Sequence, residues 1–155
     1  MKLSSTAFPH KGFIPSKYTC DADNISPPLH ITDVPKAAKS LVLIMDDPDI
    51  PDFVKEKFGI EVFDHWTLFN ILPDTIEIKE HTEPGVKGKN GRGTLGYTGP
   101  CPPDREHRYF FRIFALNKLL YLKEGATKRE VLDAIKELDI IAQAELIGRY
   151  ERIKQ

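Results

Sequence analysis

The amino-acid sequence predicts a mainly β fold, and three observations carry that prediction. Leu41-Val42-Leu43-Ile44-Met45 is an unbroken apolar run, as a strand covered on both faces requires. His65 to Leu72 and Arg108 to Leu116 are rich in aromatic and branched residues, which suit a pleated, half-buried surface. Prolines, glycines and aspartates punctuate the chain around them. With 155 residues, one domain spanning 1–155 is expected, large enough for its own core.

Residues 4 to 40 are loop-rich. Pro9, Pro15, Pro27, Pro28 and Pro35 leave room only for brief strands such as Leu29-His30-Ile31. The apolar run at 41–45 ends in Asp46-Asp47-Pro48-Asp49-Ile50-Pro51, where carboxylates and prolines stop the strand. Asp47 precedes Pro48 and is held out of the helical region. The connection from Asp52 to Asp64 carries Phe53, Val54, Phe58, Ile60, Val62 and Phe63, too apolar for a free loop. It folds over the core, lines a pocket mouth or packs against a second subunit. The strand at 65–72 closes at Pro73-Asp74.

Gly85, Gly88, Gly91, Gly93, Gly96 and Gly99 mark either a long flexible loop or a set of backbone amides facing an anion. Neither a Walker lysine-serine pair nor a dinucleotide fingerprint accompanies them. Gly96 to Pro103 cannot be helix or central strand, because its prolines lack a donor and fix φ. This stiff loop leads into the strand at 108–116. His107 and Tyr109 share one face there, and Arg108 takes the other. Thr127 with Glu130 forms a capping-box pattern opening a helix over 128–138. Ile140 to Ile153 is ambiguous by periodicity, and Gly148 and Tyr150 favour a strand that finishes the sheet.

Strand polarity predicts a meeting point. If the strands at 41–47 and 65–72 are antiparallel neighbours, Asp47 and His65 lie at one sheet edge. If the strand entered at His107 runs parallel to the one entered at His65, all three groups converge.

Composition sets limits. The net charge is −1, so no electrostatic pull toward nucleic acid or an anionic membrane is expected. No apolar run approaches the ~20 residues of a membrane helix, so integral membrane association is not expected. Met1-Lys2-Leu3-Ser4-Ser5 lacks the apolar core of a signal peptide, which predicts a cytoplasmic protein. Cys20 and Cys101 are too few for a disulfide scaffold or a cysteine-only zinc site. Two reduced thiols are expected, with a bridge of the kind found inside hyperthermophiles as the alternative.

Several pieces now fit one family in order. They are Tyr18-Thr19-Cys20-Asp21, Ser26-Pro27-Pro28-Leu29, Asp47-Pro48-Asp49-Ile50-Pro51, His65-Trp66, Gly96 through Tyr109, and Gln143 through Arg152. The chain resembles the phosphatidylethanolamine-binding protein family, in its bacterial and archaeal Raf-kinase-inhibitor-like branch. The resemblance covers nearly the whole chain. Its most specific part is Gly99-Pro100-Cys101-Pro102-Pro103 with His107-Arg108-Tyr109.

The resemblance implies two antiparallel β-sheets, one large and one smaller, with few short helices. It also implies a small pocket for phosphate-like anions, lined by Asp47, His65, His107 and Tyr109. Backbone from Gly96 to Pro103, including Gly99, Pro100 and Pro102, would form one wall. Ile50 stands where the motif usually has alanine, which reshapes the pocket floor. The chain ends at Gln155, so the C-terminal helix bordering the pocket in mammalian members is expected to be absent, and their regulation is not carried over.

The function expected is therefore non-enzymatic binding of a small phosphate or phospho-headgroup-like anion, with no cofactor and no metal. A kinase or protease is the protein partner the family suggests, and the apolar 53–63 segment predicts a homodimer. Two imidazoles are expected to donate to the anion, with Asp47 raising the proton affinity of His65. Affinity is expected to weaken above about pH 7. Asp46 and Asp49 read as turn residues, and His10, His30 and His81 as solvated or structural. The alternative is a hydrolase with Cys101 as nucleophile, His107 as base and Asp47 as orienting acid. Pro100 and Pro102 leave it few amides for an oxyanion hole. A metal site of Asp47, His65 and His107 has suitable ligands but no spacing that demands it.

Overall fold

The computed structural model describes residues 1–152. Along the chain, β1 is Lys2–Ser4, β2 Gly12–Phe13, β3 Leu29–Thr32 and β4 Ser40–Asp47. Helix α1 (Asp52–Phe58) leads to β5 (Phe63–Ile71), β6 (Glu77–Ile78) and β7 (Val86–Lys87). Then come β8 (His107–Leu116), helix α2 (Lys128–Ala134) and β9 (Ile140–Tyr150). A small sheet has the order β1-β3-β6, and a large one the order β2-β9-β8-β4-β5-β7. This is the mainly β, two-sheet architecture that the sequence predicts. All pairs are antiparallel except β2 with β9, which is parallel.

β4 sits at the centre of the large sheet, between β5 and β8, and every one of its residues is buried. Its unbroken apolar run follows from having two cores. Leu41, Leu43 and Met45 join the core between the sheets, with Leu29, Ile31, Trp66 and Phe111. Val42 and Ile44 face the other way, onto Phe69, Leu120 and Val131. By the same alternation Asp47 falls on the inter-sheet side and Asp46 on the α2 side. Asp46 there pairs with Arg112 and Lys128, each at 3.1 Å.

Three element boundaries differ from expectation. The 52–64 connection contains a seven-residue helix, α1, before β5 starts at Phe63. Gly59 ends α1 at φ 63°, a left-handed cap suited to glycine. Helix α2 has its capping box of Thr127 and Glu130 but stops at Ala134, because Ile135 is extended. A 3-10 turn at Glu137–Asp139 then feeds the chain into β9. The final strand ends at Tyr150; the expectation that it reaches Ile153 falls outside the described residues.

The two cysteines are not free thiols. Cys20 and Cys101 form a disulfide across 81 residues of sequence. The expectation of reduced thiols is thereby corrected. No local spacing signals this pairing, since the two segments meet only through the fold.

Candidate functional site

β5 and β8 both run antiparallel to β4, one on each side. Both therefore begin where β4 ends, and Asp47, His65 and His107 arrive at one place, as strand polarity predicts. His65 reaches it through a bulge. Met45 pairs with Trp66 and Asp46 with Asp64, so His65 is the residue the register leaves over. A bulge re-aims a side chain, and His65 is buried here where β5 begins its run of buried residues.

A cavity of about 180 Å³ lies at this point. Asp47, His65, Gly99, Pro102, His107 and Tyr109 line it. Gly96 and Pro100 do not, although both belong to the expected wall. Gly96 has φ 80° and packs against the carboxylate of Glu83, where a Cβ would collide. Pro100 uses its carbonyl to accept from the Cys20 amide at 3.1 Å. Both support the wall from behind. Ile50, Pro51, Val54 and Phe63 make an apolar side, so α1 forms part of the mouth. Arg92 completes the lining. Sequence reasoning passed over Arg92, whose one signal was a cation between Gly91 and Gly93.

The two histidines are in different states. Nδ1 of His65 lies 2.7 Å from the Thr98 carbonyl, which can only accept, so Nδ1 carries the proton. Burial pushes the pKa of His65 down, against the pull of the Thr98 carbonyl and the charges of Asp47 and Asp46. The ring is neutral, and Nε2 presents a lone pair. The expected pairing of Asp47 with His65, and the raised proton affinity it implied, is therefore corrected.

Asp47 pairs with His107 instead, its Oδ2 2.7 Å from Nδ1. Nε2 of His107 is 2.7 Å from Oδ1 of Asp104. A ring between two carboxylates donates to both only as imidazolium. Burial opposes that charge, but the bonds to Asp47 and Asp104 outweigh it and raise the pKa of His107. Asp104 responds in the opposite sense: burial opposes its charge, yet contact with His107 lowers its pKa.

Tyr109 is fully buried, and among the described residues its hydroxyl has no hydrogen-bond partner. Burial, then the charge of Asp47, pushes its pKa well up, so it stays a neutral donor. Its ring meets His65 edge-on at 5.2 Å and stacks with His107 at 6.4 Å.

The surrounding shell fixes this arrangement. Asp47 Oδ1 accepts from the Asp49 amide at 2.7 Å. Asp49 takes the Arg108 guanidinium through two bonds and its amide through a third. Arg108 holds the Asp49 carboxyl below its usual range. Asp49 lies in the irregular segment after β4, whereas Asp46, also expected in a turn, is a strand residue on the far side of the sheet, because β4 runs on to Asp47. The Gly99 amide donates to Asn24 Oδ1 at 2.8 Å.

Cys101 lines the cavity, but its sulfur is bonded to Cys20, so the hydrolase alternative lacks its nucleophile. Among the described residues no group of three or more His, Cys, Asp or Glu is arranged to hold a metal ion. Nor is any helix among them long and apolar enough to cross a membrane.

Comparison with known proteins identifies the family. The family model described as phosphatidylethanolamine-binding protein matches residues 4–151. A UPF0098 protein of Methanothermobacter thermautotrophicus is 48% identical, covering 98% of this chain and 99% of its own. One from Chlamydia trachomatis is 46% identical over the same shares. A crystal structure described as a phosphatidylethanolamine-binding protein homologue from Chlamydia trachomatis superposes with a TM-score of 0.92 at 44% identity, covering 98% and 97%. Escherichia coli YbcL superposes with a TM-score of 0.84 at 25% identity, covering 98% of each chain. Both the sequence and the fold therefore show that the chain belongs to the phosphatidylethanolamine-binding protein family, in the prokaryotic branch with the UPF0098 proteins and YbcL.

Proposed function

We propose that this protein is a non-enzymatic binding protein whose cavity takes one small oxyanion, of the phosphate or phospho-headgroup kind. The single observation that supports it most is the pairing of two unused groups at the cavity. Among the described residues Tyr109 Oη is a buried donor without a partner, and His65 Nε2 is a lone pair on a neutral ring. A singly protonated phosphate has what both need: an oxygen to accept from Tyr109 and an O–H to give to His65. Arg92 at the mouth adds positive charge. Leaving the Tyr109 hydroxyl unpaired costs stability in the empty protein, as expected of a group kept for a ligand.

Asp47 is a positioning residue here, since its carboxylate is spent on His107 and the Asp49 amide. The ligand is limited to a small group by the cavity volume of about 180 Å³. Its remainder lies along Ile50, Val54 and Phe63.

Calorimetry with inorganic phosphate and phosphoethanolamine tests the reading. Tyr109→Phe removes only the unpaired hydroxyl, so it is expected to weaken binding roughly tenfold while the fold persists. His107→Ala is expected to abolish binding, because Asp47 and Asp104 are then left as bare carboxylates. Unchanged affinity in both variants would overturn the assignment.

A further inference from the structure

His107 is wedged between two carboxylates of unequal freedom. Asp47 comes from the buried end of β4, its side chain is 4% exposed, and the Asp49 amide holds it as well. Asp104 comes from the irregular loop before β8, only three residues from His107, and its side chain is 34% exposed. Its other cation is Arg105, at 3.7 Å and itself mostly exposed. Turning Asp104 out to solvent breaks its part-exposed ion pair with His107, gives up the longer contact with Arg105 and local backbone hydrogen bonds, and disturbs no strand. With Asp104 in place, both His107 nitrogens are taken and the ring is 1% exposed, although it lines the cavity. The chain itself thus supplies an oxyanion to the strongest donor of the site.

We propose that Asp104 is a tethered competitor that occupies the oxyanion position on His107 Nε2, and that a ligand's phosphate or carboxylate group binds by displacing it. This rests on the anion-pocket reading above and adds how that pocket is controlled. With Asp104 latched, the group of Asp47, His107 and Asp104 carries one more negative charge than positive. With Asp104 in solvent, the buried part is neutral and the charged Nε2–H of His107, a residue of the cavity lining, is left without a partner. The latch therefore sets a threshold. A bare small anion gains too little to displace Asp104 efficiently, whereas a ligand that also fills the apolar side by Val54 and Phe63 gains enough.

Inorganic phosphate and acetate are the probes, with affinity read by NMR from the His65 and His107 ring nitrogens. Asp104→Ala is expected to bind both probes roughly tenfold tighter than the unaltered chain, the worth of an ion pair part-way between exposed and buried. Asp104→Asn keeps the shape without the charge and is expected to fall between. In the unaltered chain, saturating phosphate is expected to shift the His107 Nε2 signal and the Asp104 carboxyl carbon together, which keeps the test open should a variant fold poorly. Equal affinities in all three, with the His65 signal still responding, would discard the latch and leave the pocket reading standing. No response of His65 or His107 in any of them would discard both.

Discussion

Residue by residue, the site divides its labour by burial and by what each polar atom already holds. His65 is buried beside a carbonyl and is neutral; His107 is buried between carboxylates and is charged. That difference predicts a pH effect. The folded pKa of His107 lies above its unfolded value of about 6.5. Its contribution to stability is therefore complete below about pH 6.5 and is lost as pH rises through the raised folded value. Urea denaturation across that window should show stability falling with rising pH, and His107→Gln should flatten the slope. Phosphate binding should weaken in the same direction, since His107 loses its proton and with it the positive charge beside the cavity. Tyr109→Phe should unfold at the same or a higher temperature, by up to about 1 kcal/mol, because it removes an unpaired buried hydroxyl. Asp47, His107 and Tyr109 were legible in the sequence because each sits at the end of a strongly patterned strand. Which histidine takes Asp47 was not legible, since it depends on a one-residue bulge. Asp104 and Arg92 lie on loops, where no periodicity marks a side chain's direction.

Among the elements, the wall from Gly99 to Pro103 does most to shape the cavity. Its prolines stiffen it, the Gly99 amide ties it to Asn24, and the Cys20–Cys101 disulfide ties it again to the segment after Tyr18. Closing a loop of this length is worth about 4 kcal/mol in the chain-entropy account. Thermal unfolding with and without reductant should show a loss of that order, and the Cys20→Ser, Cys101→Ser variant should match the reduced chain. A Cβ at Gly99 would run into Asn24 and the backbone of Tyr18 and Thr19. Gly99→Ala should accordingly cost about 2 kcal/mol and displace the wall. The strands were readable from apolar runs and branched residues; the disulfide was not, since its cysteines are brought together only by the packing of two loops. Helix α1 was hidden because its apolar residues are not buried: Phe53 and Phe58 stay 62% and 63% exposed.

At the scale of the whole molecule, the homodimer expected from the sequence is tested at the two exposed phenylalanines of α1. Sedimentation of the intact chain should give the mass of two copies, and the Phe53→Ser, Phe58→Ser variant should give one. The cytoplasmic location expected from the sequence is tested at the disulfide, whose state thiol trapping in freshly lysed cells would read directly. The two sheets exist, on this account, to bring one aspartate, two histidines and a tyrosine to a single hollow. A crystal structure grown with saturating phosphate tests that most directly. A tetrahedral anion bonded to Tyr109 Oη and His65 Nε2, against the Cys101–Pro103 wall, is the predicted result. An empty cavity at that concentration, or phosphate bound only elsewhere on the surface, would contradict it.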